Sequence, residues 1–267
     1  EIHMSLKFCS LASGSSGNCY LIKNDSAALI IDAGISGKKI LQGLDDTNTP
    51  HEYAKGLLIT HEHTDHVKSV SVLSKKLPGL SVYANQGTWG GIKKPVAPTQ
   101  QRIFRTGEDF YIEGFMIRPF SIPHDAADPV GFSIYHENKQ ISIVTDVGYI
   151  TDSIFDEIID ADLLLLEANH EKEILLMGRY PYPLKHRILG ETGHLSNVSA
   201  GECLCRLASA NPKERQILLG HLSHENNDPA VALLTVKNTL MEKNIIPGNQ
   251  LKLGIAMRDC LSYMYEV

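Results

Sequence analysis

The sequence predicts an α/β protein in which two sheets are layered with helices. Three observations lead there. Apolar runs of strand length recur along the chain, segments of helical period alternate with them, and polar residues capable of chemistry repeatedly close those runs. No linker, low-complexity run or composition shift divides the 267 residues, so one domain over residues 4–267 is expected. A hydrophobic content of 43% against 21% charged residues supplies a sizeable core. Glu1, Ile2 and His3 precede Met4 and read as residues foreign to the protein, so His3 is set aside.

The elements follow in order. Residues 6–11, 19–23 and 28–32 read as strands, the last an apolar run ending in Asp-Ala-Gly. Between the first two, residues 12–18 (ASGSSGN) form a glycine–serine turn. It either offers backbone N–H groups to an anion or simply links a hairpin. Residues 37–44 form a short helix and 56–60 a strand. Residues 65–77 read as one helix, with Val67, Val70, Leu73 and Leu77 at helical spacing. Strands are expected at 80–84 and 114–122, and 130–136 with 140–145 form a hairpin. Residues 150–158 are helical and 162–166 a fully apolar strand. Residues 178–190 read as irregular. Helices at 197–208 and 229–242 and strands at 216–219 and 251–256 complete the chain.

Composition excludes several roles. The net charge of −6 argues against a generally basic nucleic-acid binder, though not against a local basic groove. No run of about 18 apolar residues suggests a membrane span, and no signal-peptide pattern opens the chain. The five cysteines include no CxxC pair and are odd in number, which fits free thiols in a reducing cytoplasm.

The densest chemical signal is LLITHEHTDH at residues 57–66. His61, His63, Asp65 and His66 lie within six positions, directly after an apolar strand, and imidazole and carboxylate suit zinc, manganese or iron. His124, Asp146 and His221 each close another apolar run. Singly each is more often structural than a ligand. Together, at the carboxyl ends of strands, they point to one rim.

The order HxHxDH, His, Asp, His resembles the dinuclear pattern of the metallo-β-lactamase superfamily, over nearly the whole chain. The resemblance implies a four-layer αβ/βα sandwich. It implies that His61, His63 and His124 hold one divalent ion, that Asp65, His66 and His221 hold a second, and that Asp146 and a hydroxide are shared. Glu167 after LLLL, followed by Gly193-His194-Leu195-Ser196, is similar to the Glu and His elements of ribonuclease Z-like enzymes. By that match His194 stabilises the transition state or protonates the leaving oxygen, with Glu167 as its partner; Asp65, from the histidine-rich motif, is a further catalytic candidate. The stretch GHLSHENN from Gly220, with the opening ASGSSGN, resembles the YycJ/WalJ family of bacterial exonucleases.

Several assignments stay open. The stretch from Arg179 to Arg187 either contacts a phosphate backbone and stacks on bases or is an ordinary surface loop. Arg187, Ser196 and Asn197 are the candidate substrate contacts. His170 and His224 adjoin the site but stay outside the ligand set. Only 22 positions separate His124 from Asp146 and 75 separate Asp146 from His221, leaving no room for a large accessory domain. Substrate recognition then falls to the chain's own loops or to a second subunit in a homo-oligomer.

The resemblance implies a metal-dependent phosphodiester hydrolase acting on nucleic acid, foremost a 5′-to-3′ DNA exonuclease. A phosphodiesterase for small cyclic phosphates is the alternative. A thioester, lactone or β-lactam hydrolase is disfavoured by the Glu167/His194 pair. A binding module with a structural metal is disfavoured by seven ligands where four close a structural site.

Overall fold

The computed structural model describes residues 5–267; the reading of residues 1–3, and of Met4 as the start of the domain, lies outside them. In chain order the elements are β1 (Lys7–Ala12), β2 (Cys19–Lys23), β3 (Ala28–Ile31), α1 (Gly37–Asp46), β4 (Ala54–Leu58), α2 (Thr64–Val67), α3 (Val70–Lys76), β5 (Ser81–Ala84), α4 (Gln86–Gly91) and β6 (Gln101–Ile103). The second half holds β7 (Phe110–Ile112), β8 (Phe115–Ser121), β9 (Val130–His136), β10 (Lys139–Val144), α5 (Asp152–Ile158), β11 (Leu163–Glu167), α6 (Lys172–Met177) and α7 (Tyr182–Leu189). It closes with α8 (Asn197–Ala210), β12 (Arg215–Gly220), α9 (Pro229–Glu242), β13 (Leu251–Ile255) and β14 (Tyr265–Glu266).

The strands form two seven-stranded sheets, ordered β14-β1-β2-β3-β4-β5-β6 and β13-β12-β11-β10-β9-β8-β7. Alternation along each strand divides its side chains between two cores. Leu163 and Leu165 of β11 meet Leu29 and Ile31 of β3 between the sheets. Leu164 and Leu166 turn the other way, against Leu204 and Leu207 of α8 and Val236 and Leu240 of α9. Ala28 and Ile30 likewise pack against Ile40 of α1 and Leu73 of α3 on the first sheet's outer face. The result is the expected αβ/βα sandwich. A strand covered on both faces must be apolar throughout, which is why β11 reads LLLL. Each buried leucine contributes about 1.5–3 kcal/mol.

β3, β4 and β5 run parallel, as do β10, β11 and β12. Their carboxyl ends therefore open on one rim, where connecting loops can converge.

Three expectations change. The helix expected over residues 65–77 is two helices, because Ala33 from the end of β3 inserts between them. Ala33 N donates to His66 O and Ala33 O accepts from Ser69 N, at 2.7 and 2.9 Å. The segment 178–190, expected to be irregular, contains α7. Its prolines occupy the N-cap and first turn, where a missing N–H breaks no helical bond. The short α4, α6, β6, β7 and β14 were not expected, since two to six residues show no period. No helix of the described residues is long and apolar enough to cross a membrane.

Candidate metal centre

All seven expected ligands converge on the shared rim. His61 and His63 leave the loop after β4, His124 follows β8, Asp146 follows β10 and His221 follows β12. His61 Nε2 lies 3.1 Å from His63 Nδ1, and His124 Nε2 lies 3.4 Å from the same atom. In the second trio, His66 Nε2 stands 3.5 Å and His221 Nε2 3.8 Å from Asp65 Oδ2. Asp146 lies between the trios, with oxygens 3.2 Å from His66 Nε2, 3.5 Å from His221 Nε2 and 3.8 Å from His124 Nε2. Each trio is compact enough to grip one ion.

Backbone geometry aims these side chains. Asp32, Asp146 and His221 adopt φ of 60°, 55° and 53°, a left-handed conformation rarely taken outside glycine. Each such residue costs of order 1–3 kcal/mol, and these three follow β3, β10 and β12, where the strand ends meet at the rim. Gly34 allows the loops to meet. A Cβ there would fall 1.5 Å from the carbonyl oxygen of Asp65, which also accepts from Asn18 N at 2.8 Å.

The outward nitrogens are fixed by partners behind them. His66 Nδ1 contacts Asp32 Oδ2 at 2.7 Å, and His221 Nδ1 contacts Glu167 Oε1 at 2.7 Å. His61 Nδ1 meets Thr60 Oγ1 at 3.0 Å, and His124 Nδ1 faces Gly193 O at 3.3 Å. Such contacts set the ring and leave the opposite nitrogen facing the centre. Glu167 does this twice, since its Oε1 also lies 2.8 Å from His194 Nδ1. Its other oxygen accepts from the backbone of Val147 and Leu195. The expected Glu167/His194 pair is therefore present, and the same carboxylate ties it to His221.

Electrostatics favour positive charge at this place. Burial opposes ionisation of His66, but Asp146 and Asp32 beside it raise its pKa well above the ordinary value. His221 is likewise opposed by burial, and Asp146 with the hydrogen bonds to Asp65 and Glu167 lifts it to about 10. Burial raises the Glu167 carboxyl, yet the adjacent His194 imidazole holds it down at about 2. His61 is the opposite case: burial, then the His66 charge, pushes its pKa down.

These residues fit a divalent cation. His221 Nε2 and Asp146 Oδ2 are buried with no hydrogen-bond partner, although neighbouring atoms stand close. An orphaned buried polar atom ordinarily costs about 1–3 kcal/mol. A cation held by both would remove that cost, and the mixed nitrogen and carboxylate donors suit divalent metals.

Sequence reasoning missed Asp32, Asn18, Thr60 and Asn169. Asp32 closes an apolar strand as Asp146 does, and that signal could have found it. Asn18, in the glycine–serine turn, places Nδ2 3.1 Å from His66 Nε2, and Ser13 Oγ accepts from His221 N at 2.8 Å. The turn thus braces the centre. Asn169 Nδ2 donates to His221 O at 2.9 Å. Of the expected substrate contacts, Asn197 is buried and its amide is engaged by Glu171 and Asn227, so it braces a loop instead of facing substrate. Ser196 caps α8, and Arg187 pairs with Asp125 at 2.6 Å. His170 is buried without a ring partner, burial lowering it to about 4, and His224 is exposed beside Glu225. Neither joins the trios.

Residues 28–221 match the model of the Beta-lactamase superfamily domain. The chain is 36% identical to Exodeoxyribonuclease WalJ of Streptococcus pneumoniae serotype 2, over 99% of both proteins. It is 36% identical to Exodeoxyribonuclease YycJ of Bacillus anthracis, over 92% of this chain and 93% of that protein. Among solved structures, the metallo-beta-lactamase fold protein YhfI from Bacillus subtilis superposes with a TM-score of 0.71 at 18% identity, covering 99% of this chain and 100% of that one. That last likeness concerns the fold alone.

Proposed function

Because the chain belongs to the beta-lactamase superfamily, and within it to the family of the WalJ and YycJ exodeoxyribonucleases, we propose that it is a metal-dependent phosphodiester hydrolase degrading DNA from an end in the 5′-to-3′ direction. The observation that carries this reading is the Glu167 bridge, one buried carboxylate joined to both the candidate ligand His221 and the non-ligand His194.

His61, His63 and His124 would hold one cation, Asp65, His66 and His221 another, and Asp146 would serve both. When bound, such cations supply Lewis acidity toward phosphoryl oxygens and acidify a water toward neutral pH. The side chains do the remainder. His194 is partly enclosed, which disfavours its charge, but Glu167 alongside raises its pKa and keeps the proton on the ring. With Nδ1 turned to Glu167, its Nε2 is free to approach the phosphate. Water oxygen bonds to phosphorus and gives up its proton to solvent, the bond to the 3′-oxygen breaks, and that oxygen takes its proton from His194, which regains one from solvent. Asp65, partly exposed and held ionised, orients the attacking water.

Zinc or manganese, with iron as a third candidate, and two ions per chain belong to this reading. So do one domain over residues 4–267, a cytoplasmic setting supported by five free thiols, and a homo-oligomer whose second copy adds substrate surface. Incubating protein loaded with each metal with 5′- and 3′-end-labelled duplexes, beside a cyclic nucleotide, tests it. Mononucleotides released from 5′ ends are expected. Cyclic-nucleotide turnover with intact DNA would overturn the reading.

A further inference from the structure

A cavity of about 470 Å³ opens beside His63. Its walls are Glu62, Thr64, Val67 and Lys68 from the candidate metal loop and α2, and Gly91 through Lys94 from the segment after α4. Three of its residues, Lys68, Lys93 and Lys94, are exposed lysines, on a protein whose net charge is −6. Among the described residues, the lysines engaged by carboxylates are Lys7, Lys139, Lys213 and Lys252. The three in the cavity are not among these, and what sets them apart from other unpaired lysines is that they share one lining with His63. Lys94 Nζ donates to Lys68 O at 2.8 Å, which ties the two walls together.

The cavity is built against the centre. A Cβ on Gly91 would lie 2.3 Å from Glu62 Cγ, so this wall approaches the metal loop as closely as glycine permits. Glu62 shares this wall, its Oε1 accepting from Ala127 N at 2.9 Å and its Oε2 buried without a hydrogen-bond partner. Val67 and Ile92 add apolar surface to the lining that the lysines share with His63. Cations spaced along an apolar floor suit a sugar–phosphate chain, whose phosphates alternate with apolar sugar faces. They suit a small cyclic phosphate poorly, since it has one charge and reaches no further than the centre.

We propose that this cavity is a binding track for the DNA strand, in which Lys68, Lys93 and Lys94 contact phosphates flanking the one positioned for cleavage. The inference rests on the nuclease reading and adds where the strand runs. Each phosphate contact releases condensed counterions, so removing three contacts flattens the salt dependence of binding.

The test compares the wild-type protein, K68A/K93A/K94A and the control K75A/K76A/K243A, which removes the same charge elsewhere. Duplex digestion is followed from about 50 to 200 mM salt, with anisotropy of a labelled oligonucleotide in chelator as a second reading. The cavity variant is expected to raise KM for DNA roughly tenfold and to lower the log–log salt slope by about 2–3, while the control stays near wild type. A thermal melt shows whether the variant is folded. Wild-type digestion with KM and slope unmoved in the folded cavity variant, or moved equally in the control, overturns the track and leaves the nuclease reading standing. Absence of DNA cleavage by the wild type with any metal overturns that reading and the track with it.

Discussion

The two ligand trios use the same residue types but are supported differently. His66 and His221 lean on the carboxylates of Asp32 and Glu167, whereas His61 and His124 lean on a hydroxyl and a carbonyl. His66 and His221 are fully enclosed, while His63 in the other trio lies half-exposed at the mouth of the lysine cavity. A carboxylate behind an imidazole makes the nitrogen facing the centre more basic, so a cation in the second trio would be held more tightly. The first trio is built to be reached.

The largest expected effect comes from removing what the trios share. Asp146→Ala deletes the carboxylate between them, and Asp65→Ala deletes the only carboxylate ligand of the second; both variants should lose DNA cleavage to background while circular dichroism stays native. Residual turnover near wild type in either would break the two-trio description. Next, Asp32→Asn and Glu167→Gln keep shape but remove the supporting charge. Each should weaken metal binding or activity by about 10–100-fold, read by titration against a competing chelator. Glu167→Gln should also lower kcat through His194, which Asp32→Asn does not touch.

Thr60→Val removes the hydroxyl beside His61, and because that hydroxyl also donates to Asp32 Oδ2 at 2.8 Å it probes the first trio with a smaller secondary effect on the second. A neutral hydrogen bond contributes about 1 kcal/mol, so only about fivefold loss of affinity is expected there. Equal losses from Thr60→Val and Asp32→Asn would erase the asymmetry. Metal removal reports on both trios at once. A cation at about one hundred times its Kd stabilises by roughly 2.7 kcal/mol, so chelation should lower Tm by about 5–10 °C. An unchanged Tm would mean that no cation occupies the orphaned atoms of Asp146 and His221.

The difference between the trios bears on what was readable in the chain. His61, His63, Asp65 and His66 are adjacent in sequence and were found from spacing alone. His124, Asp146 and His221 were found because each closes an apolar run. Asp32 obeys that same rule and was passed over, because nothing in the sequence announces that its strand lies beside β4. The helix expected over residues 65–77 failed for a related reason, since period alone cannot register a backbone segment inserted from 32 positions upstream. The segment 178–190 reads as irregular, yet its prolines cap and open α7.

By itself, the sequence determined the layered α/β architecture and the identity of the seven converging groups. Both depend on local pattern, alternation of apolar residues within strands and polar residues at their ends. Tertiary structure decided which partner stands behind each imidazole, that Asn197 is committed inside, and that free lysines border His63. These depend on distances between segments far apart in the chain, which are fixed only when the sheets pack and the loops on their common rim close together.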